Sequence, residues 1–311
     1  MSKSSQKINN YKLRKISIVK REDRYNSKYY DYQVAYRYLF QLLDEQQIES
    51  GAYLHFFGDT PVALAIDISS MVGCPMSCKF CESASIQYKR DLNIYEMIAQ
   101  VTYLVEEHDK HKFPKIICSF QGIGEPSLIP HRIIEASRHF ISSDHRINIS
   151  ISTIGFRLNA FKLWRECEIP IDNLQISCSG TTSKQIKWLM PDLPNLNKLV
   201  NEAILCTESD NIQKVKFNYV LIKDFNDSNQ DVERLITLFS GTPIIVKISA
   251  LNPTIASKGY KIIPGSFRRA EEICCKLKFN KVASYVYGSF NSTFVSCGQL
   301  SFIDKIDNRR I

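Results

Sequence analysis

The chain is expected to be an α/β protein whose main part is a partial (β/α)6, TIM-like barrel. Two observations predict this. Apolar runs of strand length alternate with stretches of helical spacing from about residue 61 onward, which implies parallel strands joined by right-handed helical crossovers. Six such units precede one last strand, too few for a closed eight-stranded barrel, and the chemistry of such a barrel belongs at the C-terminal strand ends.

Ahead of the barrel, residues 31–49 (Tyr32, Val34, Ala35, Tyr38, Leu39, Leu42, Leu43) have the spacing of one amphipathic helix. Residues 52–57, the turn Gly58-Asp59-Thr60-Pro61 and residues 62–68 read as strand, turn and strand, so the barrel carries a short N-terminal helix/β-hairpin extension. After a cysteine-rich loop, residues 94–108 form a helix with Asn93 as N-cap. Strands follow at 115–120, 147–153, 173–179, 214–222 and 244–251, separated by helices at 130–141, 157–167, around 195–206, and 230–239. A helix at 267–278 and a strand at 281–287 lead into an irregular tail. With no internal repeat or low-complexity tract, the expected division is a basic, Tyr-rich extension at 1–60 and a core at 61–311.

Apolar content of 44% and charged content of 23% are ordinary for a globular protein. Ten cysteines spread over 311 residues do not resemble a secreted disulfide framework, and thiols of this kind belong in a reducing cytoplasm. No apolar run has membrane-spanning length, and the Lys-rich start lacks the apolar core of a signal peptide. A cytoplasmic protein without membrane contact is expected. The net charge of +8 is uneven: residues 1–31 hold nine Lys/Arg against three Asp/Glu, interleaved with Tyr11, Tyr25, Tyr29 and Tyr30 and followed by Tyr32. Cations among aromatic rings suit phosphate contact and base stacking, so RNA is one reading of this arm; a solvated tail is the other.

The most informative stretch is Gly73-Cys74-Pro75-Met76-Ser77-Cys78-Lys79-Phe80-Cys81, directly after the apolar run 61–69. Thiolates spaced C-x3-C-x2-C can occupy three corners of one [4Fe-4S] cubane. A zinc site needs a fourth N or S ligand, and the next candidates, His108 and Cys118, are remote in sequence. Cys74, Cys78 and Cys81 are therefore the expected metal ligands, with one iron left open. The strand at 115–120 runs into Gln121-Gly122-Ile123-Gly124-Glu125-Pro126. Glycines there allow close backbone approach to a ligand, and a Glu can hold an ammonium group; an ordinary βα turn is the bland alternative. Later strands end in Ser152-Thr153, Ser177-Cys178-Ser179 and Leu251-Asn252-Pro253, polar groups that suit either ligand contact or turn formation. Cys297, in Ser296-Cys297-Gly298-Gln299-Leu300 beyond the last strand, is either structural or a nucleophile on a loop that folds over the barrel mouth.

The cysteine spacing is the signature of the radical S-adenosylmethionine (SAM) superfamily, which the chain resembles. Ser69-Ser70-Met71-Val72-Gly73-Cys74, Arg90-Asp91-Leu92, Gly122 to Pro126, Ser152 to Gly155, Asn226-Asp227, Asn252-Pro253 and Cys297 to Leu300 follow the order of one branch. That branch is the methyl synthases that methylate adenine in large-subunit ribosomal RNA, at C2 (also in tRNA) or at C8. The resemblance implies two cofactors, a [4Fe-4S] cluster and SAM, with Gly124, Glu125, Ser152, Ser177, Ser179 and Asn252 binding SAM. It implies that Cys297 is first methylated by one SAM, and that a radical from a second SAM then activates the S-methyl group for attack on an sp2 carbon. It also implies rRNA or tRNA as partner through the basic arm, a reducing protein such as flavodoxin or ferredoxin, and a monomer.

The chain departs from that branch in four places. The branch resolves its protein–RNA adduct with a cysteine seven residues before the first cluster cysteine; here that residue is Asp67. A carboxylate can act as a base but cannot form the disulfide, so Asp67 is either a base or a buried structural acid. Cys118 and Cys178, expected on neighbouring strands, are the alternative thiols. His55 is the nearest titratable residue to the branch's catalytic Glu, the stretch Tyr287-Gly288-Ser289-Phe290-Asn291-Ser292 replaces an Arg-Gly-acid-like segment, and the accessory RNA-binding region is short. An RNA adenine methyl synthase leads. A radical SAM enzyme acting on a small molecule or peptide, and a non-catalytic Fe–S protein that binds RNA, are the alternatives.

Overall fold

The structure is a computed structural model that describes residues 13–24, 32–109 and 112–288. Cys297, Ser296 to Leu300, Ser289 to Ser292, and Tyr11, Tyr25, Tyr29 and Tyr30 of the basic arm lie outside the described residues. The described residues divide into two compact units, one holding those up to Pro75 and Ser85–Ser150, the other Met76–Ala84 and residues 151–288.

The first unit opens with an antiparallel meander: β1 (Arg14–Arg24), β2 (Tyr32–Gln41), β3 (Gln47–Phe57) and β4 (Thr60–Asp67). The helix expected over 31–49 is a strand instead. Positions 35, 38, 39 and 42 satisfy a helical period, but Tyr32, Val34, Tyr36, Tyr38 and Phe40 also alternate, and β-branched and aromatic residues favour a pleated surface. Pairing on both edges, to β1 and β3, decides it. The basic arm likewise contains strand β1, which pairs with β2 in register Lys20↔Tyr36. The turn between β3 and β4 is placed as expected, with Gly58 at φ +56°.

β4 then pairs in parallel with β7 (Ile116–Phe120), Leu64 opposite Ile116. Between them lie a short pair missed in the sequence, β5 (Met71–Val72) with β6 (Arg90–Asp91), and α1 (Ile94–His108). Asn93 caps α1 in a capping box with Glu96, as its sequence signature requires. α2 (Pro130–Ser143) starts with Pro at its first turn, where no N–H is needed. β8 (Ile147–Thr153) carries the chain into the second unit.

In the second unit β9 (Ile171–Ser177), β10 (Val215–Leu221), β11 (Ile245–Ala250) and β12 (Ser284–Tyr287) pair in parallel in that order. The helices α3 (Asn159–Glu166), α5 (Leu196–Thr207), α6 (Asn229–Phe239) and α8 (Phe267–Phe279) fall where helical spacing places them. Two short helices do not: α4 (Ser183–Leu189), started by a Thr182 capping box, and α7 (Ile255–Gly259), started by Thr254. The fold is α/β, and its parallel strands joined by helices carry the pattern of the expected partial barrel. Among the described residues no helix is long and apolar enough to cross a membrane.

Candidate functional site

The cysteine stretch is split between the units, and each half is held by local contacts. In the first unit Gly73 turns at φ +71°; a Cβ there would collide with the carbonyl of Gln87. The Cys74 amide donates to the Ile86 carbonyl at 3.3 Å. The Gly122-Ile123-Gly124 loop is pressed against residues 68–71. The Gly122 amide donates to Ile68 O, while the Ser70 and Met71 amides both donate to Ile123 O. A Cβ on Gly122 would sit 2.6 Å from the Ile68 and Ser69 backbone, and one on Gly124, at φ +124°, would strike the Ser70 hydroxyl. Two motifs separated by some fifty residues of sequence are thus brought into one backbone cradle, which requires glycine at both positions. Arg90 braces this region with a two-pronged contact to Glu96 (2.8 and 2.9 Å) and a further bond to Asp44.

Glu125 is buried, and its Oε1 accepts from the Ser127 amide at 3.0 Å, capping the 3-10 turn Pro126–Leu128. Asp67 is also buried. Its Oδ2 accepts from Tyr53 Oη at 3.0 Å and faces Arg37 Nη2 at 3.4 Å, and that guanidinium donates to Tyr53 Oη at 2.7 Å. Arg37, Gly51 and Asp67 are opposite one another across β2, β3 and β4. A Cβ at 51 would lie 3.1 Å from Arg37 Nη1 and crowd the guanidinium where it crosses β3. His55, half-buried on β3, contacts Gln33, and burial lowers its pKa to about 4.

In the second unit, residues 77–82 are strapped down by their own backbone. The Ser77 amide donates to Asp192 Oδ2 (2.6 Å), the Lys79 amide to Leu189 O (3.0 Å), and Thr254 Oγ1 donates to Phe80 O (3.0 Å). Glu82 Oε2 accepts from the Ile255 and Ala256 amides at the start of α7. Cys78 is buried, and burial pushes the Cys81 thiol up. Among the described residues no group of three or more His, Cys, Asp and Glu side chains is gathered as a metal site. The donor set itself is three cysteines, none in a disulfide, within eight residues, on a glycine-turned loop pinned at both halves. Soft thiolate donors of this number fit an iron–sulfur cluster better than any hard-ion site.

The expected polar strand ends have distinct surroundings. Ser152 Oγ accepts from Gln175 Nε2 at 3.2 Å, and Ser177, half-buried, lies opposite Asn218. Ser179 Oγ accepts from the Val220 amide and its carbonyl accepts from Asn226 Nδ2, so it joins β9 to β10. Asn252 is exposed just past β11. Cys118 and Cys178 are fully buried. Burial pushes Cys178 up to about 12 and Cys118 well above the thiol range; Cys118 is on β7 and Cys178 follows β9, with β8 between them in the chain.

Sequence reasoning missed a buried polar row on β9–β11. Lys247 Nζ donates to Gln175 Oε1 at 2.9 Å and lies 3.9 Å from the Tyr287 ring centroid; Ser249 Oγ donates to Asn218 Oδ1 at 2.6 Å. The available signal was period two: Asn173-x-Gln175-x-Ser177, Lys216-x-Asn218 and Lys247-x-Ser249 put polar residues at alternate positions of otherwise apolar strands. A separate cleft of about 910 Å³, lined by Thr182, Gln185, Trp188, Phe225, Asp231 and Arg234 among others, contains none of the expected SAM-contact residues.

The sequence model of the radical SAM superfamily matches residues 68–238, a segment that begins just before the cysteine loop and runs through α6. The chain belongs to the radical SAM superfamily. Its cofactors are accordingly a [4Fe-4S] cluster and SAM. It is 29% identical over 272 residues to a probable dual-specificity RNA methyltransferase RlmN of Dictyoglomus turgidum, covering 85% of this chain and 75% of that protein. It is 28% identical over 281 residues to a dual-specificity RNA methyltransferase RlmN 2 of Myxococcus xanthus, covering 85% and 70%. The crystal structure of a radical SAM methyltransferase from Sphaerobacter thermophilus superposes with a TM-score of 0.76 at 22% identity, covering 96% of this chain and 85% of that one, which bears out the fold class.

Proposed function

We propose that this superfamily member is a methyl synthase acting on RNA, with an adenine of rRNA or tRNA as its target and Cys297 as the methyl carrier. The observation that carries the reading is similarity to RNA methyltransferases along 85% of the chain, spanning the cysteine loop, the glycine cradle and the strand ends alike. Cys74, Cys78 and Cys81 hold the cluster, which when bound supplies the electron that starts radical chemistry. Gly124 and the backbone around it, with Glu125, Ser152, Ser177, Ser179 and Asn252, form the SAM site; Glu125 and Ser179 act there mainly by fixing the turns they bond. Asp67, engaged by Arg37 and Tyr53, is a structural anion in this reading. The basic strand β1 (Arg14, Lys15, Lys20 and Arg21) offers phosphate contacts to RNA in the cytoplasm. The test is mass analysis of rRNA and tRNA from cells lacking the gene: loss of one methyladenosine, restored by the wild-type gene and not by a Cys297→Ala copy, is expected. RNA with unchanged methylation would move the reading to a small-molecule or peptide substrate.

A further inference from the structure

β1 lies at the edge of its sheet: among the described residues β2 pairs along one side of it and no strand pairs along the other. A bare edge is a template for a further strand, and natural sheets blunt such edges with lysines, bulges or short length. β1 carries lysines and a bulge, but it is eleven residues long, and Ile16 and Ile18 on it are 38% and 42% exposed. Its charges are also divided along its length. Arg14 and Lys15 stand near one end, residues 22 and 23 (Glu and Asp) near the other. An edge of one sign repels its own copy, whereas an edge divided in this way attracts a copy laid antiparallel to it.

We propose that this edge pairs with β1 of a second copy of the chain, in an isologous antiparallel dimer whose two-fold axis passes through Val19. Such an axis, normal to the sheet, sets residues of the same face opposite one another. The register with β2 assigns those faces. Lys15↔Phe40 is followed by Ser17↔Leu39, so Ile16 is an extra residue. That phase shift puts position 14 on the face of Val19 and position 23, and position 15 on the face of Lys20 and Glu22. Without the extra residue 14 and 23 would fall on opposite faces. With the axis at Val19, Lys15 stands opposite Glu22, Arg14 opposite the acidic position 23, Ser17 opposite Arg21 and Ile18 opposite Lys20, each twice, and no like charges are opposed. The adjacent registers fail this test. An axis at Ile18 sets Arg14 against Arg21 and Lys15 against Lys20; an axis at Lys20 sets that lysine against its own copy and position 15 against the cationic position 24. Glu22 is already steadied for its part, since it accepts from Tyr32 Oη at 2.6 Å and pairs with Lys20 at 2.5 Å. Lys20 and Arg21 of both copies gather near the axis, so the pairing leaves cations for phosphate contact and does not rest on the RNA reading. The resemblance implies a monomer; the edge of β1 implies a pair.

The experiment is sedimentation velocity of the nuclease-treated, reconstituted full chain across concentration and salt series, with melting temperature as the check that each variant folds. The wild type should dimerise at micromolar concentration, less tightly as salt rises. Arg14→Glu/Lys15→Glu makes both ends of the strand acidic, and Glu22→Lys/Asp23→Lys makes both basic; each should weaken self-association by about tenfold or more. Mixed one to one, these two variants should associate with each other. The fourfold exchange that combines them should self-associate more tightly than either alone. A wild type that stays monomeric at high micromolar concentration, or that associates only when RNA is left in place, would overturn the proposal. So would folded double variants that dimerise alone as well as they do when mixed.

Discussion

Removing the carboxylate of Asp67 should destabilise the fold far more than a surface substitution does. The side chains of Arg37 and Asp67 are only 2% and 9% exposed, so Asp67→Ala leaves a guanidinium in the interior without its counter-charge. Breaking one partner of a buried pair costs about 3–5 kcal/mol. At roughly 2–4 °C per kcal/mol for domains of 150–250 residues, the loss in melting temperature is about 6–20 °C, with this longer chain in the lower half. Asp67→Asn keeps an acceptor for Tyr53 and should lose less. Arg37→Met/Asp67→Leu, which removes both charges together, should recover most of the loss. Gly51→Ala tests the geometry from the other side, because its Cβ would lie 3.1 Å from Arg37 Nη1 and crowd the crossing. The assay is thermal unfolding of reconstituted protein, with urea unfolding for the free energies. A cost below about 1 kcal/mol for Asp67→Ala, or no recovery in the double variant, would refute the buried-pair account. An Asp67→Asn protein with unchanged melting and abolished turnover would return Asp67 to the role of a base.

Gly73→Ala should cut iron–sulfur incorporation severely, measured by iron and sulfide content, because the substitution meets the Gln87 backbone in a left-handed conformation. His55 is held neutral by burial at a pKa of about 4, against about 6.5 when unfolded, so the unfolded state takes up the proton first. Stability should therefore fall as pH drops from about 6.5 to about 4, with His55→Gln lacking that slope, as read by urea midpoints at each pH. Cys275, which is exposed, should be alkylated rapidly in the folded protein, while Cys118 and Cys178 react only on unfolding; peptide mass analysis checks this.

The strand at Ile147–Thr153 was legible to the residue, because β-branched residues alternate between turn-forming neighbours. The Asn93 cap and the Cys74-Cys78-Cys81 spacing were legible for a similar reason: their chemistry is local. β2 was not, since Ala35, Tyr38, Leu39 and Leu42 fit a helical period while Tyr32, Val34, Tyr36, Tyr38 and Phe40 fit an alternating one, and only pairing with β1 and β3 chooses between them. The Arg37–Gly51–Asp67 line depends on register across three strands, which no single segment encodes. Gln175, Asn218 and Lys247 are brought together only by the pairing of β9, β10 and β11. α4 is only seven residues long, and its start depends on the Thr182–Gln185 capping pair rather than on a long apolar face.

The most direct test of the methyl-carrier account is the mass of the peptide that contains Cys297, from protein produced with SAM and reconstituted anaerobically. A single added methyl on its sulfur, consumed when one further equivalent of SAM, reductant and RNA are supplied together, is the predicted result. An unmodified thiol before and after turnover would contradict it.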